Sequence, residues 1–330
     1  MGIVLLGKTG DGKSSCGNTI LGDSSGTKFL AKCASISVTR NCEVQRGHGM
    51  GSQTQIEIID TPGFSDTSLS DEELKPEIVK CITTCAPGPH AFIIVLRVGR
   101  YTHQEMATVA KITRSFGECA FPYTVVLFTH GDDLDEGQTI EQFVEESEDL
   151  KELVEKCGGR YHMIDNKRWN QEHEYKNNRV QVKNLLNTIE EMVRQNGGGY
   201  YTNEMLQAVE EAIQREEEKV RKENPNEIDE SKIREIAIQR FTEKLFAKCA
   251  GVATGALLGA FLGFGTKAAQ GGLAAGVAGA VGAISGGIVG FKAVGDGDTI
   301  LDAVNKASSV VSKMLETTTT NEGHNTKKNE

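Results

Sequence analysis

A chain of 330 residues has room for a sizeable core and more than one folding unit. Its 25% charged and 38% hydrophobic residues are ordinary for a soluble protein, and a net charge of −10 with no basic run argues against nucleic acid as a partner. The eight cysteines, at 16, 33, 42, 81, 85, 119, 157 and 249, form no C-x-x-C pair, and no secretory signal precedes the first apolar run. Reduced thiols and a cytoplasmic location are therefore expected.

The pattern up to about residue 195 alternates apolar runs with helical segments. Strands are expected at 3–6, 35–44, 54–60, 91–98, 123–129 and 161–164. Helices fit between them at 14–21, 71–85, 103–116, 140–157 and 174–195. Strands joined by helical crossovers imply an α/β fold with a mostly parallel six-stranded sheet. One early antiparallel hairpin is expected, because the second and third strands are separated by only a short link around residues 47–51.

The triplet Gly197-Gly198-Gly199 marks a break. The division expected is an α/β domain over 1–197, a charged helical extension over 198–249, an apolar hairpin over 250–292, and a short helix with a disordered tail over 293–330. In the extension, Ile233, Ala237, Phe241, Leu245 and Cys249 form one apolar stripe at i, i+4 spacing. Residues 250–291 are rich in Gly and Ala, with small residues recurring four apart, as at Gly255, Gly259 and Gly263. That spacing lets helices approach closely, especially in lipid. The uncharged run 271–291 is about long enough to span a bilayer, although so much glycine weakens both helix formation and insertion. Attachment to an intracellular membrane and a close-packed soluble hairpin both stay open.

Three motifs carry chemistry. The first, GKTGDGKS at 7–14, fits the phosphate-loop pattern G-x-x-x-x-G-K-[ST] between a strand and a helix. Gly7, Thr9, Gly10, Asp11, Gly12, Lys13, Ser14 and Ser15 are the candidate cradle. Its backbone N–H groups would face a phosphate chain, Lys13 would reach the β- and γ-phosphates, and Ser14 would bind Mg²⁺. The second motif, Asp60-Thr61-Pro62-Gly63, follows the third strand. Asp60 can hold Mg²⁺ through water, and the N–H of Gly63 can meet a γ-phosphate.

The third motif is Thr129-His130-Gly131-Asp132-Asp133-Leu134. Guanine-specific loops read N-K-x-D, usually with Leu next. Aligning on Leu134 puts Asp133 on the N1–H and 2-amino donors of guanine, with His130 in place of Asn and Gly131 in place of Lys. Asp132 takes that place if the register slips by one. A fourth patch, Asp165-Asn166-Lys167, offers Asn166 or its backbone to the base, and Trp169 as a ring to stack on it.

The segments GKTGDGKSSCGNTILG, DTPGFSD, CAPGPHAFIIVLRVGRYTHQE, VLFTHGDDL and CGGRYHMIDNK resemble the GTPases of immunity-associated proteins, the GIMAP family. The match covers roughly residues 3–195. The resemblance implies a Ras-like P-loop GTPase domain with an α-helical C-terminal extension, bound GTP or GDP with Mg²⁺, and nucleotide-dependent dimers or oligomers formed through the nucleotide-side face. Many members of that family attach to intracellular membranes, and the family is associated with immune defence. His130-Gly131 is looser than the family's usual pair, and the Gly-rich segment is not a general family feature.

The residue after D-x-x-G is Phe64, where Ras-type GTPases carry a water-orienting Gln. Slow GTP hydrolysis is therefore expected unless a group arrives from elsewhere. Arg100, in the segment that resembles the family box, is the catalytic candidate as an arginine finger across a dimer. Thr39 is the switch-loop candidate for Mg²⁺ and the γ-phosphate, with Ser37 second. Three classes follow: a GTPase switch, a GTP-binding scaffold without significant hydrolysis, and a membrane-active effector controlled by its nucleotide domain.

Overall fold

The computed structural model describes residues 1–23, 25–31, 42–50, 52–61, 71–99, 101, 106, 119–166, 177–223, 225 and 229–248. It divides into two compact units, one of Met1–Ser70 with Pro87–Thr202, the other of Asp71–Ala86 with Asn203–Glu330. The expected helix at 103–116 and the apolar segment at 250–292 lie outside the described residues, apart from Met106.

The first unit is built on six strands: β1 Gly2–Gly7, β2 Glu43–His48, β3 Gln55–Asp60, β4 Ala91–Arg97, β5 Thr124–Thr129 and β6 Tyr161–Met163. Their order in the sheet is β2-β3-β1-β4-β5-β6. β2 runs antiparallel to β3, and every other pairing is parallel. The central strands are apolar at nearly every position, and Val4, Leu5, Ile93, Ile94, Val126 and Leu127 are all fully buried. A strand covered on both faces requires such a run rather than an alternating one.

On one face, α1 (Lys13–Ile20) and α5 (Asn178–Gln195) contribute Cys16, Ile20, Val182, Leu185 and Ile189 to a core with Ile3, Leu5, Ile58, Ile93 and Leu127. On the way out of this unit, Tyr201 packs edge-on against Phe92 and Tyr123, at centroid separations of 5.2 and 5.8 Å. Its N–H donates to Pro89 O at 2.8 Å.

The sequence places the second strand at 35–44, of which 35–41 lie outside the described residues; the structure forms β2 at Glu43–His48. This is a largely half-buried edge strand in which Val44 is the one apolar side chain (EVQRGH), so it lacks the apolar alternation that marks a strand in sequence. The helix expected over 140–157 is two, α3 Ile140–Glu145 and α4 Glu148–Lys156. Ser147 ends one and caps the next, its hydroxyl accepting from Leu150 N at 3.4 Å.

The second unit comprises α2 (Asp71–Cys85), α6 (Glu204–Glu223) and α7 (Glu230–Lys248). Ile233, Ala237, Phe241 and Leu245 of the α7 stripe are buried. Arg234 joins all three helices: it donates to Glu210 at 2.7 Å, to Glu217 at 2.9 Å and to the carbonyl of Ala86 at 3.1 Å. α2 thus falls in the same compact unit as the helices that follow Thr202. Among the described residues, no helix is long and apolar enough to cross a membrane.

Candidate functional site

The described residues that follow β1, β3, β5 and β6 lie at the carboxyl ends of the parallel strands, where open α/β sheets bind ligands. The loop after β1 leads straight into the N-terminus of α1, which presents N–H groups and a partial positive charge to an anion. Two glycines make its path possible. Gly7 has φ +151°, and a Cβ there would stand 2.5 Å from Val95 O. Gly12 has φ +91°, and its Cβ would lie 3.3 Å from the Asn166 amide. Lys13 is buried and donates to Gly7 O and Lys8 O, both at 3.1 Å. Its ammonium thus curls over the loop that it would share with phosphates. The Thr9 hydroxyl is buried in the same loop without a hydrogen-bond partner.

Ser14 donates its hydroxyl to Asp60 Oδ2 at 2.5 Å, joining the start of α1 to the end of β3. Asp60 is fully buried, and its Oδ1 has no hydrogen-bond partner. Burial pushes its carboxyl up to about 6, against the pull of Lys13 and the Ser14 hydroxyl. An unsatisfied buried carboxylate oxygen beside a hydroxyl is a hard-oxygen pair of the kind that suits Mg²⁺. The fit is therefore good on chemistry: the ion would supply the charge that burial denies.

At the other end, one bond ties the end of β5 to the phosphate loop, a second ties the loop after β6 to α1, and a third joins the loops after β5 and β6 to each other. Thr129 donates to Asp11 O at 2.9 Å. Thr19 donates to Asn166 Oδ1 at 2.8 Å, which turns that side chain toward α1. Gly131 N donates to Ile164 O at 3.2 Å. His130 is the only non-glycine with positive φ among the described residues, at 56°, and its Nδ1 lies 3.0 Å from the Thr129 hydroxyl. Burial pushes the His130 imidazole down, and the Arg97 guanidinium adds to this. Asp133 pairs with Arg97 at 3.1 Å and stays partly exposed.

The structure brings together Gly7, Thr9, Gly10, Asp11, Gly12, Lys13, Ser14 and Ser15 with Asp60, and sets His130, Asp133 and Asn166 on the adjoining loops. Thr39, Gly63 and Arg100 lie outside the described residues, as do Ser37, Phe64 and Trp169. Sequence reading missed Asn178. This buried side chain brackets the loop after β6, accepting from Asp165 N at 3.2 Å and donating to Asp165 O. An Asn one residue inside a helix, after the capping Asn177, gives no sign in sequence that it faces inward.

The fold and the loop geometry define the class: a P-loop nucleotide-binding domain with the strand order and single antiparallel edge of Ras-like G domains. Residues 1–223 match the AIG1 family, and the chain belongs to it, as the resemblance to the GIMAP GTPases implied. Among its relatives, immune-associated nucleotide-binding protein 9 of Arabidopsis thaliana is 34% identical over 239 residues, covering 70% of this chain and 68% of the relative. Immune-associated nucleotide-binding protein 10 from the same plant is 36% identical, with 66% of this chain and 47% of the relative covered. Human GTPase IMAP family member 8 is 32% identical, over 61% of this chain and 29% of its own length. The chain thus spans about half to two thirds of these plant relatives and under a third of the human one. The crystal structure of Arabidopsis thaliana Toc33 with GDP and Mg²⁺ overlays at a TM-score of 0.45 and 17% identity, covering 59% of this chain and 84% of that one.

Proposed function

We propose that the chain is a guanine-nucleotide switch of the AIG1 type. It binds GTP and GDP with Mg²⁺, hydrolyses GTP slowly, and dimerises or oligomerises according to the nucleotide held. The observation that carries this reading is the Ser14–Asp60 pair, with its unsatisfied buried Oδ1, beside Lys13 and the loop N–H groups. Ser14 and Asp60 would hold the ion, directly or through water. Lys13 would leave the carbonyls of Gly7 and Lys8 for the phosphates, and Asp133 would accept from the base. When bound, Mg²⁺ neutralises charge on the phosphates. Thr39 and Gly63 would close on the γ-phosphate, and Arg100 of a facing copy would offset charge building there.

Attachment to an intracellular membrane through residues 250–292, and a role in immune regulation, belong to the same reading. The small-residue spacing of that segment and the names of the relatives support them. Phe64, in place of the usual Gln, favours a second reading: a GTP-binding scaffold without significant hydrolysis. Nucleotide identification in the purified full chain, light scattering in GDP and in a GTP analogue, and single-turnover hydrolysis at rising protein concentration separate the two. A switch gives larger particles with the analogue and a rate that climbs with concentration until Arg100→Ala removes the climb. A scaffold gives a flat, near-zero rate. A purified chain with no affinity for guanine nucleotides ends both readings.

A further inference from the structure

Gly131 leaves the base-side turn without the side chain that N-K-x-D loops carry at that position. A cation reaches the same turn from another strand. Arg97 is the last residue of β4 and its first exposed one, and the sheet register sets it opposite Thr129. Val98 N donates to Thr129 O at 3.0 Å. Main-chain pairing therefore fixes the base of this side chain beside the turn before any side-chain contact is made. From there Nη2 donates to Asp133 Oδ2 at 3.1 Å.

We infer that Arg97 is a positioning residue for guanine recognition, holding the Asp133 carboxylate toward the N1–H and 2-amino donors of the base. The inference rests on the guanine-nucleotide reading of the site. A carboxylate offers about four lone-pair positions on its two oxygens. Arg97 occupies one on Oδ2, which leaves Oδ1 and the second position on Oδ2 for two parallel donors from a purine edge. Asp133 is partly exposed, so without a partner its rotamer is free, and freezing it on binding costs affinity. An exposed ion pair contributes little to folding, so removing Arg97 should register in base recognition rather than in stability.

The test is calorimetric titration of the full chain, with Mg²⁺, against GDP and against IDP, which lacks the 2-amino group. Arg97→Ala should weaken GDP by about fivefold and IDP by about twofold, so that discrimination between them shrinks while the melting temperature barely moves. Arg97→Lys keeps the charge without the planar fork and should fall between. Asp133→Asn is the control. If Asp133→Asn lowers discrimination and both Arg97 variants keep it, the Arg97 inference fails and the guanine reading stands. Tighter GDP binding by Arg97→Ala also overturns it, because the pair would then be a latch over the carboxylate. If wild type does not discriminate, or Asp133→Asn changes nothing, the guanine reading itself is lost and this inference with it.

Discussion

The two ends of the candidate site are built on opposite principles. The phosphate end is buried and closed: Lys13 and Asp60 are out of solvent, and the loop path depends on backbone that only glycine adopts comfortably. The base end is open and rests on side chains, with Arg97 and Asp133 both partly exposed. Backbone N–H groups can bind any phosphate chain, so under the proposed function the buried end would give affinity without choice of base. Choice has to come from the few side chains at the open end. The comparison therefore separates how tightly the site binds from what it binds.

Lys13→Ala strikes the closed end and should have the largest effect. Losing a buried charge-assisted contact should weaken GTP by about 100-fold or more and GDP by less, without altering the preference for guanine over adenine. Fluorescent-nucleotide titration checks both parts, and a change in base preference would break the division between the two ends.

Asp60→Asn tests the same end through pH. The folded carboxyl is raised from its ordinary value to about 6, so the native state binds more protons than the unfolded chain between about pH 4 and pH 6. Without Mg²⁺, the group's contribution to stability is present at low pH and is lost as pH rises through that window. The stability of Asp60→Asn relative to wild type should therefore climb from about pH 4 to pH 6 and level off, gaining on the order of 2–3 kcal/mol. Taking the difference between the two proteins removes other titrations, such as that of His162, whose burial lowers it to about 4. Urea unfolding across this range reads the effect, and millimolar Mg²⁺ should shrink it by satisfying the wild-type carboxylate.

Asp133→Asn strikes the open end. It should cost GTP roughly tenfold to 100-fold and raise the affinity for xanthosine triphosphate, leaving inorganic triphosphate binding unchanged. If Asp132→Asn does this instead, the register of the motif is shifted by one.

Asn178→Ala should have the smallest effect. It removes both ties to Asp165, lowering stability by about 1–3 kcal/mol through an unsatisfied main chain. Loss of affinity should be confined to the base side, read as a drop in GDP affinity with pyrophosphate binding intact.

How much of this was legible in sequence follows the same division. The phosphate loop and Asp60 could be read directly, because backbone geometry forces glycine and one Lys-Ser pair into fixed spacing. The central strands were legible as continuous apolar runs, and the buried stripe of α7 as a period-four pattern. The reach of β2 to His48 was missed because edge strands need little apolar surface, and the helix over 140–157 hid its break because Ser147 can cap as well as continue. Arg97 and Asn178 were invisible as site residues, since each acts through a partner far away in the chain.

The ties from Thr129 to Asp11 and from Thr19 to Asn166 link the two ends of the candidate site, and the tie from Gly131 to Ile164 links the two loops at its open end. A change of length in one of these tied loops would cost the bond that ties it. Drift in base preference is then expected to proceed by substitution at the exposed Arg97 and Asp133 more readily than by insertion or deletion in the tied loops.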